Sequence, residues 1–166
     1  MAILEFRDIA FHDEKDDVML VFLRIFEMHI SKADLGRIAS FKLGEHHIDF
    51  KGITEKEANN KFMLLLAKSF DGLKSKLTGH RAIYIHRNSE IPLIGTLYSG
   101  IVDRGTNMIE VKPITGCNIN CIFCSVDEGV SSRKLVDFVV ETDYMVDELH
   151  RLVEFKGEKV DIFINT

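Results

Sequence analysis

The chain has 166 residues, is 46% hydrophobic and 28% charged, and carries a formal net charge of −5 without a Lys/Arg block. That balance excludes a disordered chain and argues against a broad non-specific nucleic-acid surface. It holds three cysteines, an odd number and all clustered, which disfavours a disulfide scaffold and fits a reducing compartment.

Ala2 to Phe11 alternates loosely and reads as one strand, followed by a charged turn from Asp13 to Asp17. The opening residues include acids and lack a continuous apolar core, so they do not form a signal peptide. Val18 to Ile30 is rich in Val, Ile, Phe and Leu and reads as a long buried strand, with a helix as the rival. Arg24, Glu27 and His29 make it too charged, and its length too short, to span a bilayer. The expectation is a soluble, cytoplasmic protein with no membrane partner. Ser31 can cap a short helix to Ser40, and Lys42 to Ile53 reads as a hairpin turning near Gly44-Glu45. Its His46 and His47 are adjacent and would point to opposite faces, so they do not suit one metal.

Thr54 and Glu57 have capping-box spacing and open a helix expected to reach Leu77, with Ala58, Phe62, Leu65, Leu66, Ser69, Phe70 and Leu73 as its apolar stripe. Thr78-Gly79 ends it, Arg81 to His86 alternates as a strand, and Arg87 to Ile91 with Pro92 reads as a connecting loop. Residues 1–90 therefore read as an N-terminal α+β domain, and nothing in it names a reaction. Leu93 to Val102 and Met108 to Ile114 read as strands, and Lys134 to Val140 favours strand. Thr142 is placed to cap a helix from Asp143 to Lys156, which Gly157 stops, and Val160 to Ile164 reads as a final strand. Strand, loop, helix and strand make a βαβ unit and predict an α/β fold with a parallel sheet.

The cysteines lie in Gly116-Cys117-Asn118-Ile119-Asn120-Cys121-Ile122-Phe123-Cys124, just beyond the strand that begins at Met108. Three thiolates on one loop can hold three corners of an iron–sulfur cube and leave the fourth iron open, as catalysis requires. Three other readings compete. Buried structural thiols would not all share one short loop. A zinc site needs a fourth ligand, for which His86 and His150 are the candidates. A Cys121–Cys124 dithiol would leave Cys117 idle.

The spacing Cys117-x3-Cys121-x2-Cys124, with Phe123 directly before the last thiol, resembles the signature of the radical S-adenosylmethionine (radical SAM) superfamily. Ile91 to Thr166 also resembles an archaeal-type group of predicted Fe–S oxidoreductases, through Gly100-Ile-Val-Asp-Arg-Gly-Thr106, the cysteine loop and Ser125-Val-Asp-Glu-Gly129. The resemblance implies that Cys117, Cys121 and Cys124 ligate a [4Fe–4S] cluster whose open iron binds S-adenosylmethionine. An electron from the reduced cluster then cleaves it, and a 5′-deoxyadenosyl radical takes hydrogen from an unknown substrate. Phe123 would flank the adenine, or equally pack as a core aromatic. A ferredoxin or flavodoxin would donate the electron. Asn118 and Asn120 would shape the loop, and Asp127 and Glu128 would face water.

The family's fold is a partial (β/α)6 barrel, of which residues 91–166 would form the first βαβ unit, truncated after its second strand. The glycine- and glutamate-containing segment that holds the methionine amino group would follow Thr166. On this reading the chain is a fragment, or is completed by a second chain, and is inactive in isolation. The alternatives are a non-enzymatic Fe–S electron carrier and a zinc-binding interaction module.

Overall fold

The computed structural model describes residues 2–124, 126–127, 129, 133–157 and 159–165. The chain divides into two compact units, Met1–Lys76 and Leu77–Thr166.

The first unit contains β1 (Ala2–Glu5), β2 (Ile9–Asp13), β3 (Asp17–Phe22), β4 (Phe26–Ser31), α1 (Lys32–Ile38), β5 (Ser40–Leu43), β6 (His47–Lys51), α2 (Glu55–Ser69) and the short β7 (Lys74–Ser75). Two antiparallel ladders result: β1-β6-β5, and the run in which β2 pairs with β3, β3 with β4, and β4 with β7. The Val18–Ile30 stretch is a hairpin rather than one strand. Leu23 and Arg24 turn the chain with φ of 49° and 66°, and Leu20 comes to face Met28. A run apolar on both arms hides such a turn, because neither residue is Gly or Asn. Ala2–Phe11 likewise divides into β1 and β2, which lie in different sheets.

Helix starts follow their caps. Ser31 Oγ accepts from the N–H groups of Ala33 (3.1 Å) and Asp34 (3.4 Å), and Thr54 Oγ1 accepts from Glu57 N–H (3.3 Å). The Glu57 carboxylate pairs with Lys61 one turn on, at 2.7 Å. α2 stops at Ser69, eight residues short of Leu77, and a 3-10 turn over Phe70–Gly72 leads into β7. Its buried stripe is Ala58, Phe62 and Leu66. Phe62 is fully buried, with the rings of Phe6, Phe11 and Phe50 at centroid distances of 5.2, 6.2 and 6.4 Å. Burial of each such ring contributes about 1.5–3 kcal/mol.

The second unit contains β8 (Arg81–Ile85), β9 (Gly100–Asp103), β10 (Met108–Lys112), β11 (Val136–Val140), α3 (Thr142–Lys156) and β12 (Asp161–Ile164). β8 falls within this unit and pairs in parallel with β11, with Ile83 opposite Phe138. In the Leu93–Val102 stretch only Gly100 onward becomes β9, although Leu93 is buried and its carbonyl accepts from Ile101 N–H at 2.7 Å. α3 begins at Thr142, with Glu141 in the cap position making no side-chain capping bond to the helix among the described residues, and ends at Gly157, whose φ of 62° suits glycine. The core gathers Ile85, Leu93, Ile101, Ile109, Val111, Val140, Tyr144, Met145 and Leu152. Lys156 Nζ on α3 reaches both oxygens of Asp103 on β9, at 3.0 and 3.2 Å.

This topology corrects the expected α/β class. β10 and β12 pair in parallel, as the βαβ reading requires, but β9 flanks β10 antiparallel, giving the order β12-β10-β9. Between β10 and α3 the chain inserts β11, which pairs with β8 and does not extend that sheet. Strands dominate and only three α-helices are present among the described residues. Residues 91–166 are therefore not the opening of a (β/α)6 partial barrel but part of a strand-rich mixed fold. A hydrophobic run announces a strand, yet not the neighbour it will take.

Candidate metal centre

The cysteine loop leaves β10 under tight control. Pro113 carbonyl accepts from Val140 N–H at 2.8 Å, and Thr115 N–H donates to Phe138 carbonyl at 2.9 Å. Thr115 Oγ1 accepts from Phe138 N–H at 2.8 Å, and Ile114 bridges antiparallel to Val139. The loop entry is thus stitched along β11. Gly116 follows with φ of 90°, and a methyl group there would lie 2.8 Å from Asp137 Oδ2 and 3.0 Å from Asp137 Cγ. Glycine is required on both counts, for the dihedral and for the approach.

Asp137 is 1% exposed. Its carboxylate accepts from the Thr78 hydroxyl, and His80 Nδ1 lies 3.6 Å from its other oxygen. His80 Nδ1 is itself buried and finds no hydrogen-bond partner among the described residues. A buried acid is costly unless its oxygens are met by donors, and the Thr78 hydroxyl meets one of them.

Past Gly116 the loop opens. Cys117 is half-buried, Cys121 and Cys124 are exposed, and none is in a disulfide. Ile119 N–H donates to Cys117 Sγ at 3.3 Å, and Cys124 N–H to Cys121 carbonyl at 3.1 Å, which turns the chain at Ile122-Phe123. Phe123 is 84% exposed, so it is not packed as a core aromatic. Gly129 is packed against the loop: a methyl group there would lie 2.5 Å from Asn120 Oδ1 and 3.1 Å from Ile119 carbonyl. Asp127 is exposed, whereas Ser125 and Glu128 lie outside the described residues.

The three predicted ligands therefore share one surface loop. No three His, Cys, Asp or Glu side chains converge into a metal-holding group among the described residues, and neither His86 nor His150 joins the cysteines. The donors themselves are of the type an iron–sulfur cluster takes: three soft thiols, none in a disulfide, on one surface loop. Preformed geometry is not needed, because metal binding can supply the ordering. Sequence reasoning missed the Thr78–His80–Asp137 anchor. Its signal was an acid in the β-favouring run Lys134–Val140, at a position sharing a strand face with Val139.

The chain is 46% identical over 90 residues to uncharacterized protein MJ0103 of Methanocaldococcus jannaschii, a match covering 54% of this chain and 20% of that protein. The chain thus matches about a fifth of the length of that relative. No protein-family model matches the chain. No solved structure matches it either. No helix among the described residues is long and apolar enough to cross a membrane.

Proposed function

We propose that Cys117, Cys121 and Cys124 hold an iron–sulfur cluster of the radical SAM type, as part of an enzyme that abstracts hydrogen from a substrate. The observation that carries this reading is the confinement of every thiol in the chain to one solvent-facing loop whose entry is held rigid by β11. The bound cluster would supply an electron to cleave S-adenosylmethionine, with a small ferredoxin- or flavodoxin-like donor recharging it in a reducing cytoplasm. The chain's own residues divide the remaining work. Asp137 and Gly116 set where the loop starts, Cys117, Cys121 and Cys124 would each take one corner of the cluster, and Phe123 offers an exposed ring to the adenine.

Anaerobic reconstitution of the 166-residue chain with iron and sulfide tests the proposal. A brown protein with about four irons per chain is expected. Stoichiometric zinc without visible absorption would replace the cluster by a zinc-binding module. S-adenosylmethionine and dithionite, added to the longest form of the protein, should then release 5′-deoxyadenosine. An intact cluster without that product would reduce the reading to an electron carrier.

A further inference from the structure

The β2-β3-β4 ladder of the first unit carries a row of side chains that its core does not use. The register sets His12 opposite Met19 and Met19 opposite His29. Residues directly opposite one another share a sheet face, with Cβ atoms about 4.5–5.5 Å apart. Here that face is the outer one. Phe11, Val18, Leu20, Met28 and Ile30, which alternate with the row, are buried, whereas His12 and His29 are exposed and Met19 is half-buried. Two imidazoles thus flank one thioether across three neighbouring strands.

One of the two rings is already oriented. Glu14 Oε2 lies 3.5 Å from His29 Nδ1, the contact that a metal-ligating histidine makes with a carboxylate through its second nitrogen. That contact keeps the ring proton on Nδ1 and leaves Nε2 as the acceptor. No hydrogen bond or ion pair engages the side chains of His12 and Met19 among the described residues. The spacing is within reach. His12 and His29 stand about 10 Å apart at Cβ, twice the ladder spacing. A metal above Met19 asks each exposed ring to lean in by half of that, less a metal–nitrogen bond of about 2 Å.

We infer that His12, Met19 and His29 bind one cuprous ion. The donor atoms select the metal. Thioether sulfur is a soft ligand that favours Cu(I), and imidazole suits copper as well. Magnesium and calcium take oxygen donors, and zinc sites are built from thiolate, imidazole and carboxylate rather than thioether. The row lies in the first unit and does not rest on the iron–sulfur reading of the cysteine loop.

The thiols also bind Cu(I), so affinity is measured in the full chain carrying Cys117→Ser, Cys121→Ser and Cys124→Ser. The probe is Cu(I), added anaerobically in competition with bicinchoninate, with the methionine methyl groups labelled with carbon-13. One Cu(I) per chain is expected. Of the six methionine signals, that of Met19, assigned by its loss in Met19→Leu, should move most. Met19→Leu conserves volume and should weaken binding about tenfold. A partner that only supports a ligand is worth about 10–100-fold in metal affinity, so Glu14→Gln should cost about tenfold, and His12→Gln or His29→Gln about 100-fold or more. His47→Gln, on β6 in the other ladder, should change nothing. The chain with its cysteines intact gives an independent check, since Cu(I) added beyond what the thiols take should move the same Met19 signal. A Met19 signal that stays in place in both chains, or parent affinity in Met19→Leu or in either of the His12 and His29 variants, would overturn the inference. A chain that binds Cu(I) here but takes up no iron would leave this site standing and remove only the cluster.

Discussion

Two halves of one loop behave as opposites. Residues 113–116 are pinned to β11 by backbone bonds, with Thr115 3% exposed and Gly116 pressed on a buried carboxylate. Residues 117–124 carry three thiols and, at Ile122 and Phe123, apolar side chains 102% and 84% exposed. A segment that only needed to connect β10 with β11 would not combine a tightly bonded, buried root with an apolar, thiol-bearing tip. Function tends to sit on loops positioned by a rigid frame, and the contrast separates frame from working part.

The sharpest way to break the comparison is at the tip. Replacing any one of Cys117, Cys121 or Cys124 by Ala should abolish iron uptake, while thermal unfolding of Cys121→Ala and Cys124→Ala moves by no more than about 0.5 kcal/mol, as for other exposed sites. Retained iron in Cys121→Ala would show that the three thiols do not act together. Changes at the root should do the reverse. Gly116→Ala must force a left-handed dihedral and push aside Asp137, at a cost of about 1–3 kcal/mol measurable by urea unfolding. Unchanged stability there would mean that the entry is not held as described. Asp137→Ala leaves the Thr78 hydroxyl without its acceptor and should cost about 1–3 kcal/mol, partly recovered by Asn. Phe123→Ala should leave stability within about 0.5 kcal/mol but weaken S-adenosylmethionine binding to the reconstituted protein, so equal affinity would remove the ring from the ligand site.

The smallest effect concerns pH. The hydrogen bond from Lys156, assisted by the Gly105 N–H and opposed by desolvation, lowers the Asp103 carboxyl below its ordinary value. A depressed folded-state pKa gives stabilisation that is present above the unfolded value and lost as pH falls through the folded one. Lys156→Met should move the Asp103 titration, followed by carboxyl-carbon NMR, back towards the usual range. An unmoved titration would dismiss the α3–β9 tie.

What could be read in advance followed the reach of each signal. Caps act over three residues, so Ser31 and Thr54 announced α1 and α2 correctly, and Gly157 marked the end of α3. The thiol spacing is equally local, and the loop it marked is a loop. Pairing is not local. Val136–Val140 could be recognised as strand-forming, but its choice of β8 depends on residues more than fifty positions earlier, and that choice removed the barrel reading. Leu23-Arg24 was hidden because a turn without glycine carries no mark, and Asp137 because one acid in an apolar run is legible as an anchor only once Thr78 and His80 are beside it.

The two parallel pairings carry a kinetic consequence. Ile109 meets Ile162, and Ile83 meets Phe138, only after a long intervening stretch has been gathered in, and such distant partners assemble slowly. The thiols lie within both of these late-closing spans and remain outside the core when they close. Newly made chains therefore offer reactive sulfur to oxidants before the frame exists, and handling from the ribosome onward under anoxic, reducing conditions should raise the yield of loadable protein.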